Sequence, residues 1–334
     1  MNSNLLKVLQ GQEVSGVPVI LSGAACAAKM AGTDLGKMRE NAEKMVEVQC
    51  SFQAASGMDW NVIYADAYYL NEAFGCQVEV NEGSPSIIEA IDYDRVIHTT
   101  AVDFSSITSC KVVLDALELM QRQQPELPVA ALFEGPFTTA TRMFGTEDVL
   151  MKMMMEPETV KEALKAIEKI LGDFAAQARK KGASLVFMPD PMSSRNMISP
   201  SHYMEFAQPY QTGLIQRMKS EGLNVILHIC GDTKDRWQGM ADTQADALSL
   251  DQIVNFTEVR RTVGEKVVIA GNVDPINTLL RGDAAKVALE AEVSIARGGP
   301  KHFILMPGCG TPPGTPVENT QALVQAARKY IWKS

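Results

Sequence analysis

One histidine and two cysteines of this 334-residue chain have the types and spacing of ligands for a soft metal ion. His228 and Cys230 are two residues apart, so in an extended segment their side chains point to the same face. Cys309 lies far downstream, in the glycine-flanked stretch PGCGTPPGTP. Imidazole and thiolate are preferred zinc ligands, and three such ligands are typical of a catalytic site that keeps one coordination position open. These residues therefore predict a catalytic zinc site if the fold brings them together.

A His-x-Cys sequence by itself also fits an ordinary pair of buried residues, and this interpretation stays open at the level of spacing. The chain has six cysteines in all and shows no compact disulfide framework, so we expect free thiols in a reducing compartment. We expect the remaining four to be core residues: Cys26, Cys50, Cys76 and Cys110.

Short apolar runs alternate with longer amphipathic segments along the chain, which is typical of repeated βα units and a parallel sheet. Eight runs qualify as strands, and eight is the number that closes a (β/α)₈ barrel. The runs are VPVIL (17–21), NVIYA (61–65), PVAALF (128–133), SLVFM (184–188), NVILHI (224–229), ALSL (247–250), VVIAG (267–271) and HFILM (302–306). We predict one barrel domain over 1–334, with a loop, a short hairpin and extra helices inserted at about 68–127.

In such a barrel the active site lies at the carboxyl ends of the strands. Seven of the eight predicted strands are followed there by a polar group that could ligate a metal or transfer a proton. Helix caps would also place Asp and Asn at these positions, but His and Cys are not typical caps. The groups are Asp66, Glu134, Asp190, then His228 with Cys230 and Asp232, then Asp251, Asn272 with Asp274, and Cys309.

Charge and hydropathy exclude several classes of function. The formal net charge of −9 argues against a nucleic-acid surface, which needs clustered Lys and Arg. No apolar run reaches the roughly 18 to 20 residues of a membrane span. The run that begins at Val17 has a weakly charged upstream region, so we interpret it as a strand and not as a signal peptide. We expect a soluble, cytoplasmic protein that binds neither nucleic acid nor membrane.

Four motifs in the second half of the chain are distinctive: LHICGDT (227–233), ALSLD (247–251), GNVDP (271–275) and PGCGTPPGTPVENTQALVQAAR (307–328). They resemble the uroporphyrinogen decarboxylase superfamily, and more closely its branch of methylcobamide:coenzyme M methyltransferases. The pairing of HICG with PGCG is the specific part of the resemblance, because it separates the zinc methyltransferases from the decarboxylases. Two further segments, at 134–140 and 189–210, extend the resemblance over nearly the whole chain.

The resemblance implies a (β/α)₈ barrel in which His228, Cys230 and Cys309 hold a catalytic Zn²⁺. It implies a possible fourth, acidic ligand at Asp251. The candidate cofactor-binding residues are Asp66, Asp190 and Asn272. The implied reaction moves a methyl group from a methylated corrinoid, carried by a separate corrinoid protein, to a thiol such as coenzyme M. A basic group would hold the thiol's anionic end, and the candidates by position are Lys29, Arg142 and Arg195.

Three alternatives remain at this level. The same barrel could move methyl from a methyl ether, methanol or methylamine to a Co(I) corrinoid. It could be a uroporphyrinogen decarboxylase, although the stretch SGAACAAKMAG (22–32) lacks the arginines with which those enzymes bind a polycarboxylate. It could also be a corrinoid- or zinc-binding module without turnover, although a purely structural zinc site normally has four committed ligands.

Overall fold

A curled parallel sheet of seven strands forms the centre of the structure, a computed structural model that describes residues 3–64, 66–81, 84–265, 267–299 and 301–330. The strand order is β1-β4-β5-β6-β7-β8-β9, and every neighbouring pair is parallel. The remaining two strands form an antiparallel hairpin, β2–β3. The strands are β1 Asn61–Ile63, β2 Val78–Asn81, β3 Ser84–Ile87, β4 Val129–Leu132, β5 Leu185–Pro189, β6 Asn224–Ile229, β7 Ala247–Leu250, β8 Val268–Val273 and β9 Phe303–Pro307.

Helices connect successive strands of the central sheet, as expected of βα units. Shorter 3₁₀ segments span Asn71–Phe74, Phe104–Ser106 and Pro191–Ser193, and π-helical segments span Tyr203–Ala207 and Pro275–Leu280. The α-helices are α1 Asn4–Leu9, α2 Ala24–Met30, α3 Leu35–Glu40, α4 Ala42–Ser56, α5 Tyr93–Ile97, α6 Thr108–Gln123, α7 Pro136–Phe144, α8 Thr146–Met155, α9 Pro157–Lys180, α10 Pro200–His202, α11 Gln208–Ser220, α12 Trp237–Asp242, α13 Phe256–Val263, α14 Ala284–Gly298 and α15 Val317–Lys329.

The sequence pattern explains which surfaces are buried. The strands β4, β7 and β9 are buried at every position, because helices cover the outside of a parallel barrel while its interior is filled by side chains. In α9 the buried apolar residues recur every three or four positions, which gives this helix one apolar stripe facing the sheet. The hydrophobic core therefore lies inside the strand ring and between the ring and its helices.

The first predicted strand does not form as a strand. Residues 17–21 make only an isolated parallel bridge, between Val19 and Leu305 of β9. Their other side is held mainly by groups just before β1: the Asp59 N–H donates to the Val19 carbonyl at 2.8 Å, and the Trp60 indole N–H donates to the Leu21 carbonyl at 2.9 Å. The Asp59 carboxylate also accepts the Val19 N–H at 2.7 Å. A side-chain carboxylate and an indole thus take part where a regular ladder would stand, and an apolar run alone could not reveal the difference. The segment still links β9 to β1 and closes the ring.

The other seven predicted strands are present, with ends shifted by up to two residues. The run NVIYA forms a strand only as far as Ile63, and its last residue, Ala65, lies outside the described residues. The hairpin predicted within 68–127 corresponds to β2–β3. Helix α6, which we predicted to be an added helix, instead packs on α4, β1 and β4 as the connection between two barrel strands. The single-domain boundaries stay a prediction.

Helices able to cross a lipid bilayer, in both length and apolar character, are absent from the part of the chain that the structure describes.

Replacing Asp59 by Ala should destabilise the protein, because the Asp59 carboxylate accepts the Val19 N–H at 2.7 Å where the ring closes. Val19 is fully buried, so an unsatisfied N–H there should lower the free energy of unfolding by about 1–3 kcal/mol. Urea denaturation measures the loss. Asp59→Asn is the matched control, because it keeps an acceptor oxygen and weakens only the half-exposed ion pair with Arg328. Equal stability of the two variants would contradict this role for Asp59.

Candidate metal centre

His228, Cys230 and Cys309 meet at the carboxyl end of the barrel. His228 is the penultimate residue of β6, Cys230 directly follows that strand, and Cys309 follows β9. One ligand atom from each residue lies within 4.8 Å of the others. His228 is buried, and the two cysteines are half-buried. Strands β7 and β8 separate β6 from β9, and the curvature of the sheet brings these three side chains together.

Hydrogen bonds orient the imidazole of His228. Its Nδ1 lies 3.0 Å from the Ser249 hydroxyl oxygen and 3.3 Å from the Ser249 carbonyl oxygen. The carbonyl can only accept, and the hydroxyl donates its own proton to the Met306 sulfur at 3.3 Å, so Nδ1 carries the donated hydrogen. The Phe187 ring stacks on the imidazole with 5.6 Å between centroids. This leaves Nε2 as the ring nitrogen that can ligate a metal, the usual arrangement of a metal-binding histidine.

The two cysteine side chains interact directly, and each shifts the pKa of the other. A hydrogen bond from the Cys230 thiol, helped by the nearby His228 ring, lowers the pKa of Cys309 although burial acts in the opposite direction. The pKa of Cys230 is raised, because its proton is held by the Cys309 sulfur and because the group is buried near Asp251. Of the two thiols, Cys309 therefore loses its proton more readily. A cation placed between the sulfurs would stabilise the second thiolate as well.

Asp251 lies next to Cys230 but is not one of the three clustered ligands among the described residues. Its Oδ2 accepts the N–H of Gly231 at 2.8 Å, and its Oδ1 accepts the N–H of Ile253 at 3.2 Å. Gly231 has a φ of +79°, which only glycine adopts readily, so the chain turns sharply directly after Cys230. The predicted role of Asp251 as a fourth ligand stays a prediction, while its observed contacts hold this turn.

Asp190 is engaged by neighbouring groups, and a cofactor-binding role for it stays a prediction. Its side chain is fully buried. One oxygen accepts the backbone N–H of Thr138 at 2.7 Å and its hydroxyl at 2.6 Å, and the other accepts the Gln211 amide at 2.7 Å. Burial raises the pKa of Asp190, and these donors oppose the rise. The carboxylate anchors the first turn of α7, because that turn lies directly against it: a Cβ on Gly135 would be 2.6 Å from the Asp190 Cγ.

Asp66 and Asn272 are both engaged by neighbouring groups. The Arg39 guanidinium donates to Asp66 at 2.6 Å, and the same arginine forms an ion pair with Glu72 at 2.7 Å. Burial would lower the pKa of Arg39, but these two carboxylates outweigh it and raise that pKa. The Asn272 amide donates to the carbonyls of Asp251 and Val254 at 3.0 and 2.8 Å. A cofactor-binding role for Asp66 and Asn272 stays a prediction.

The candidate basic groups differ in their surroundings. Arg195 is half-exposed and forms ion pairs with Asp232 at 2.8 Å and Asp235 at 3.5 Å. Lys29 is exposed, and a Cβ on Gly314 would lie 3.2 Å from its Nζ. Asp274, the remaining predicted strand-end group, accepts the N–H of Ile276 at 2.8 Å and caps the segment that follows β8.

Arg142 and Glu134 form an ion pair at the barrel mouth. The guanidinium of Arg142 makes two contacts with the Glu134 carboxylate, at 3.0 and 3.3 Å, and donates to the Tyr68 hydroxyl at 2.7 Å. Burial raises the pKa of Glu134 to about 7, and the Arg142 charge limits the rise. This carboxyl group therefore changes its charge near neutral pH.

Sequence reasoning missed three residues that shape the metal centre. Ser249 orients His228, and its only signal was a hydroxyl inside the apolar run ALSL. The Asn196 side chain accepts the Asp232 N–H at 3.0 Å, and no pattern in the sequence marked it. Tyr64 is close enough to Cys309 that this sulfur helps to raise the tyrosine pKa, to about 12, after the larger effect of burial. Its hydroxyl accepts the Ala24 N–H at 2.5 Å.

Glu134→Gln should flatten the pH dependence of stability. Because the pKa of Glu134 is raised from 4.5 to about 7, the folded state binds an extra proton between these values. The contribution of Glu134 to the free energy of unfolding is then greatest below about pH 4.5, and it is lost as the pH rises through about 7. Between pH 5 and pH 8 the unaltered protein should lose about 2–3 kcal/mol more unfolding free energy than the Gln variant. Urea denaturation at both pH values measures the difference, and parallel pH profiles would refute the raised pKa.

Comparison with known proteins supports both the fold and the resemblance. The chain is 26% identical to the methylcobamide:CoM methyltransferase MtaA of Methanosarcina barkeri, over 99% of this chain and 98% of that protein. It is 27% identical to the methylcobamide:CoM methyltransferase MtbA of Methanosarcina acetivorans, over 98% and 97% of the two chains. A solved structure of a methyltransferase from Methanosarcina mazei matches with a TM-score of 0.88 at 25% identity and covers 97% of each chain.

These matches confirm the predicted barrel fold of the uroporphyrinogen decarboxylase type. The family model for uroporphyrinogen decarboxylase (URO-D) matches residues 1–330, which is almost the entire sequence. The chain therefore belongs to the uroporphyrinogen decarboxylase family.

Proposed function

We propose that this protein is a zinc-dependent methyltransferase that moves a methyl group from a methylated corrinoid to a thiol such as coenzyme M. The observation that carries the proposal is the group formed by His228, Cys230 and Cys309 at the barrel mouth, with one ligand atom from each within 4.8 Å of the others. The full-length similarity to two methylcobamide:CoM methyltransferases supports it.

The donor set fits zinc. One imidazole nitrogen and two thiol sulfurs, within 4.8 Å of one another, form a donor set of the kind that zinc prefers. Nε2 of His228 and the sulfurs of Cys230 and Cys309 would be the three ligands. When bound, zinc supplies one open coordination position and keeps a substrate thiol deprotonated at neutral pH, and the thiolate is the nucleophilic form.

The protein's own residues orient and shield this site. Ser249 fixes the direction of the His228 ring, Met306 accepts the Ser249 hydroxyl, and Phe187 stacks on the buried imidazole. Cys230 and Cys309 are half-buried at the mouth, so we expect the thiol and the corrinoid to approach from that side. Two cysteine ligands keep the site rich in negative charge, which preserves the nucleophilicity of the thiolate that attacks.

The reaction balances without a further reagent. The thiol sulfur forms a bond to the methyl carbon, the Co–C bond breaks, and its electron pair stays on cobalt as Co(I). The thiol proton leaves to solvent or to a neighbouring base. The corrinoid is a co-substrate, and we propose that a separate corrinoid protein presents it to the mouth.

Decarboxylation, the reaction that names the family, fits these residues less well. A porphyrinogen bearing many carboxylates needs many charge-assisted partners. The segment 22–32 contains Lys29 and no arginine. At the mouth, the guanidinium of Arg39 is already occupied by Asp66 and Glu72, and that of Arg142 by Glu134. Arg142 keeps about a third of its side chain exposed, which makes it our candidate for a single anionic group on the thiol.

An anaerobic assay with zinc-loaded protein, methylcobalamin and coenzyme M tests the proposed reaction. We expect the cobalamin absorption spectrum to change to that of Co(I), or of Co(II) after oxidation, with the methyl thioether as product. Zinc-loaded protein that leaves methylcobalamin unchanged would overturn this direction of transfer. The assay would then be repeated with Co(I) cobalamin and methanol, a methylamine or a methyl ether as the methyl donor.

Cys309→Ser should lose both zinc and methyl transfer, because a serine hydroxyl is a poor replacement for a thiolate ligand. We expect zinc affinity and the methyl-transfer rate each to fall by at least about 100-fold. Competition with a chelator and the cobalamin assay measure the two quantities. Cys50→Ser is the matched control, since Cys50 contacts Met120 and lies in α4 away from the barrel mouth. Full activity and unchanged zinc content in Cys309→Ser would exclude this residue as a ligand.

A further inference from the structure

We propose that the loop of residues 251–254, directly after β7, sets the spacing between Cys230 and Cys309, and that Asp251 is a positioning residue and not a zinc ligand. The inference rests on the proposed zinc site. It assigns a task to a loop that contributes no member of the ligand group.

On one side, the loop holds the turn that carries Cys230. The Asp251 carboxylate accepts the Gly231 N–H at 2.8 Å. The next N–H, of Asp232, donates to the Asn196 side chain at 3.0 Å. A Cβ on Gly231 would lie only 2.8 Å from the same Asn196 oxygen, so the turn is in close contact with that side chain. Two consecutive peptide N–H groups after Cys230 are therefore held by side chains of the two neighbouring strand-end loops.

On the other side, the same loop supports the segment that carries Cys309. A Cβ on Gly308 would lie 2.2 Å from the backbone nitrogen of Gln252 and 2.9 Å from its Cα. Backbone atoms cannot move aside as a flexible side chain can, so Gly308 lies directly on the Gln252 peptide. The Gly308 N–H also donates to the Val273 carbonyl at 2.9 Å, which fixes the segment against the end of β8.

The loop is itself held in one conformation. The Asn272 amide donates to the carbonyls of Asp251 and Val254, the two ends of the loop. The Val254 N–H donates back to the Asp251 carbonyl at 3.1 Å, and the Ile253 N–H donates to the Asp251 side chain at 3.2 Å. A loop closed by four hydrogen bonds makes a firm support, so its two contacts determine how far apart the two cysteine segments lie.

This arrangement separates two roles that Asp251 could have. Both of its oxygens accept backbone N–H groups, so the observed orientation of the carboxylate is the one that holds the Gly231 turn. A positioning role needs one acceptor oxygen, which Asn also provides. A ligand role needs a carboxylate, because a neutral carboxamide is a much weaker ligand for zinc. The Asn and Ala substitutions at this position therefore distinguish the roles.

The test measures zinc affinity by chelator competition in Asp251→Asn and Asp251→Ala. We expect the Asn variant to stay within about 3-fold of the unaltered protein and the Ala variant to bind zinc about 10–100-fold more weakly, the range typical of groups that orient metal ligands. Equal losses in both variants, together with the disappearance of an oxygen neighbour from the zinc X-ray absorption spectrum, would overturn the proposal.

The glycines on either side of Cys309 provide a matched pair for the second contact. Gly308→Ala should weaken zinc binding and change the visible spectrum of Co²⁺ bound in place of zinc, because Cys309 must move. Gly310→Ala should leave both unchanged, since its Cβ would come no closer than 3.7 Å to the Ser22 carbonyl. Equal behaviour of the two variants would count against the loop as a spacer. If Gly308→Ala does not fold, the Asp251 pair decides.

Cys309→Ser, measured in parallel, separates this inference from the proposed function. A strong loss of zinc in Cys309→Ser with equal losses in the two Asp251 variants would refute only the positioning role. Unchanged zinc binding in Cys309→Ser would refute the zinc site, and the positioning role with it.

Discussion

Closure of the parallel sheet into a ring is the constraint on which the candidate metal centre depends. Its ligands come from β6 and β9, which are separated by two strands in the sheet order, so a flat sheet would hold them well apart. The seam that closes the ring is irregular. One backbone bridge to Leu305 and three hydrogen bonds around Asp59 and Trp60 replace the ladder between the first and last strands.

Within that ring, most polar groups at the strand ends position other groups. Asp190 anchors α7, Asp251 holds the turn after Cys230, and Asn272 closes the loop beneath both cysteines. Each of these side chains compensates backbone N–H or C=O groups that would otherwise be buried without partners. The candidate ligands are few, and a larger set of buried polar residues surrounds them, an arrangement typical of metal sites.

The family contains decarboxylases as well as methyltransferases, which agrees with the general finding that one barrel supports several reactions through changes at its mouth. In this chain the difference is local. Two cysteines and a histidine occupy the mouth, and two of its arginines are already neutralised by Asp66, Glu72 and Glu134. These features are the basis on which we propose a small thiol, and not a large polyanion, as the substrate.

The sequence by itself determined the barrel class, seven of the eight strand positions and the three residues that cluster as candidate ligands. It could do so because strands of a parallel barrel are continuous apolar runs, and because the residues after them converge at one end of the ring. Spacing alone could not separate a ligand pair from two buried residues. The assembled mouth shows that His228 and Cys230 lie beside Cys309.

Tertiary structure decided what the sequence left ambiguous. The apolar run at 17–21 is a seam and not a strand, since Asp59 and Trp60 supply its partners from a distant part of the chain. Asp190 and Asp251 looked alike as carboxylates after strands, yet one is sealed beneath α7 and the other holds the Gly231 turn. The reason is physical: a carboxylate's role depends on which donors surround it, and those donors come from other strands and loops that only folding brings near.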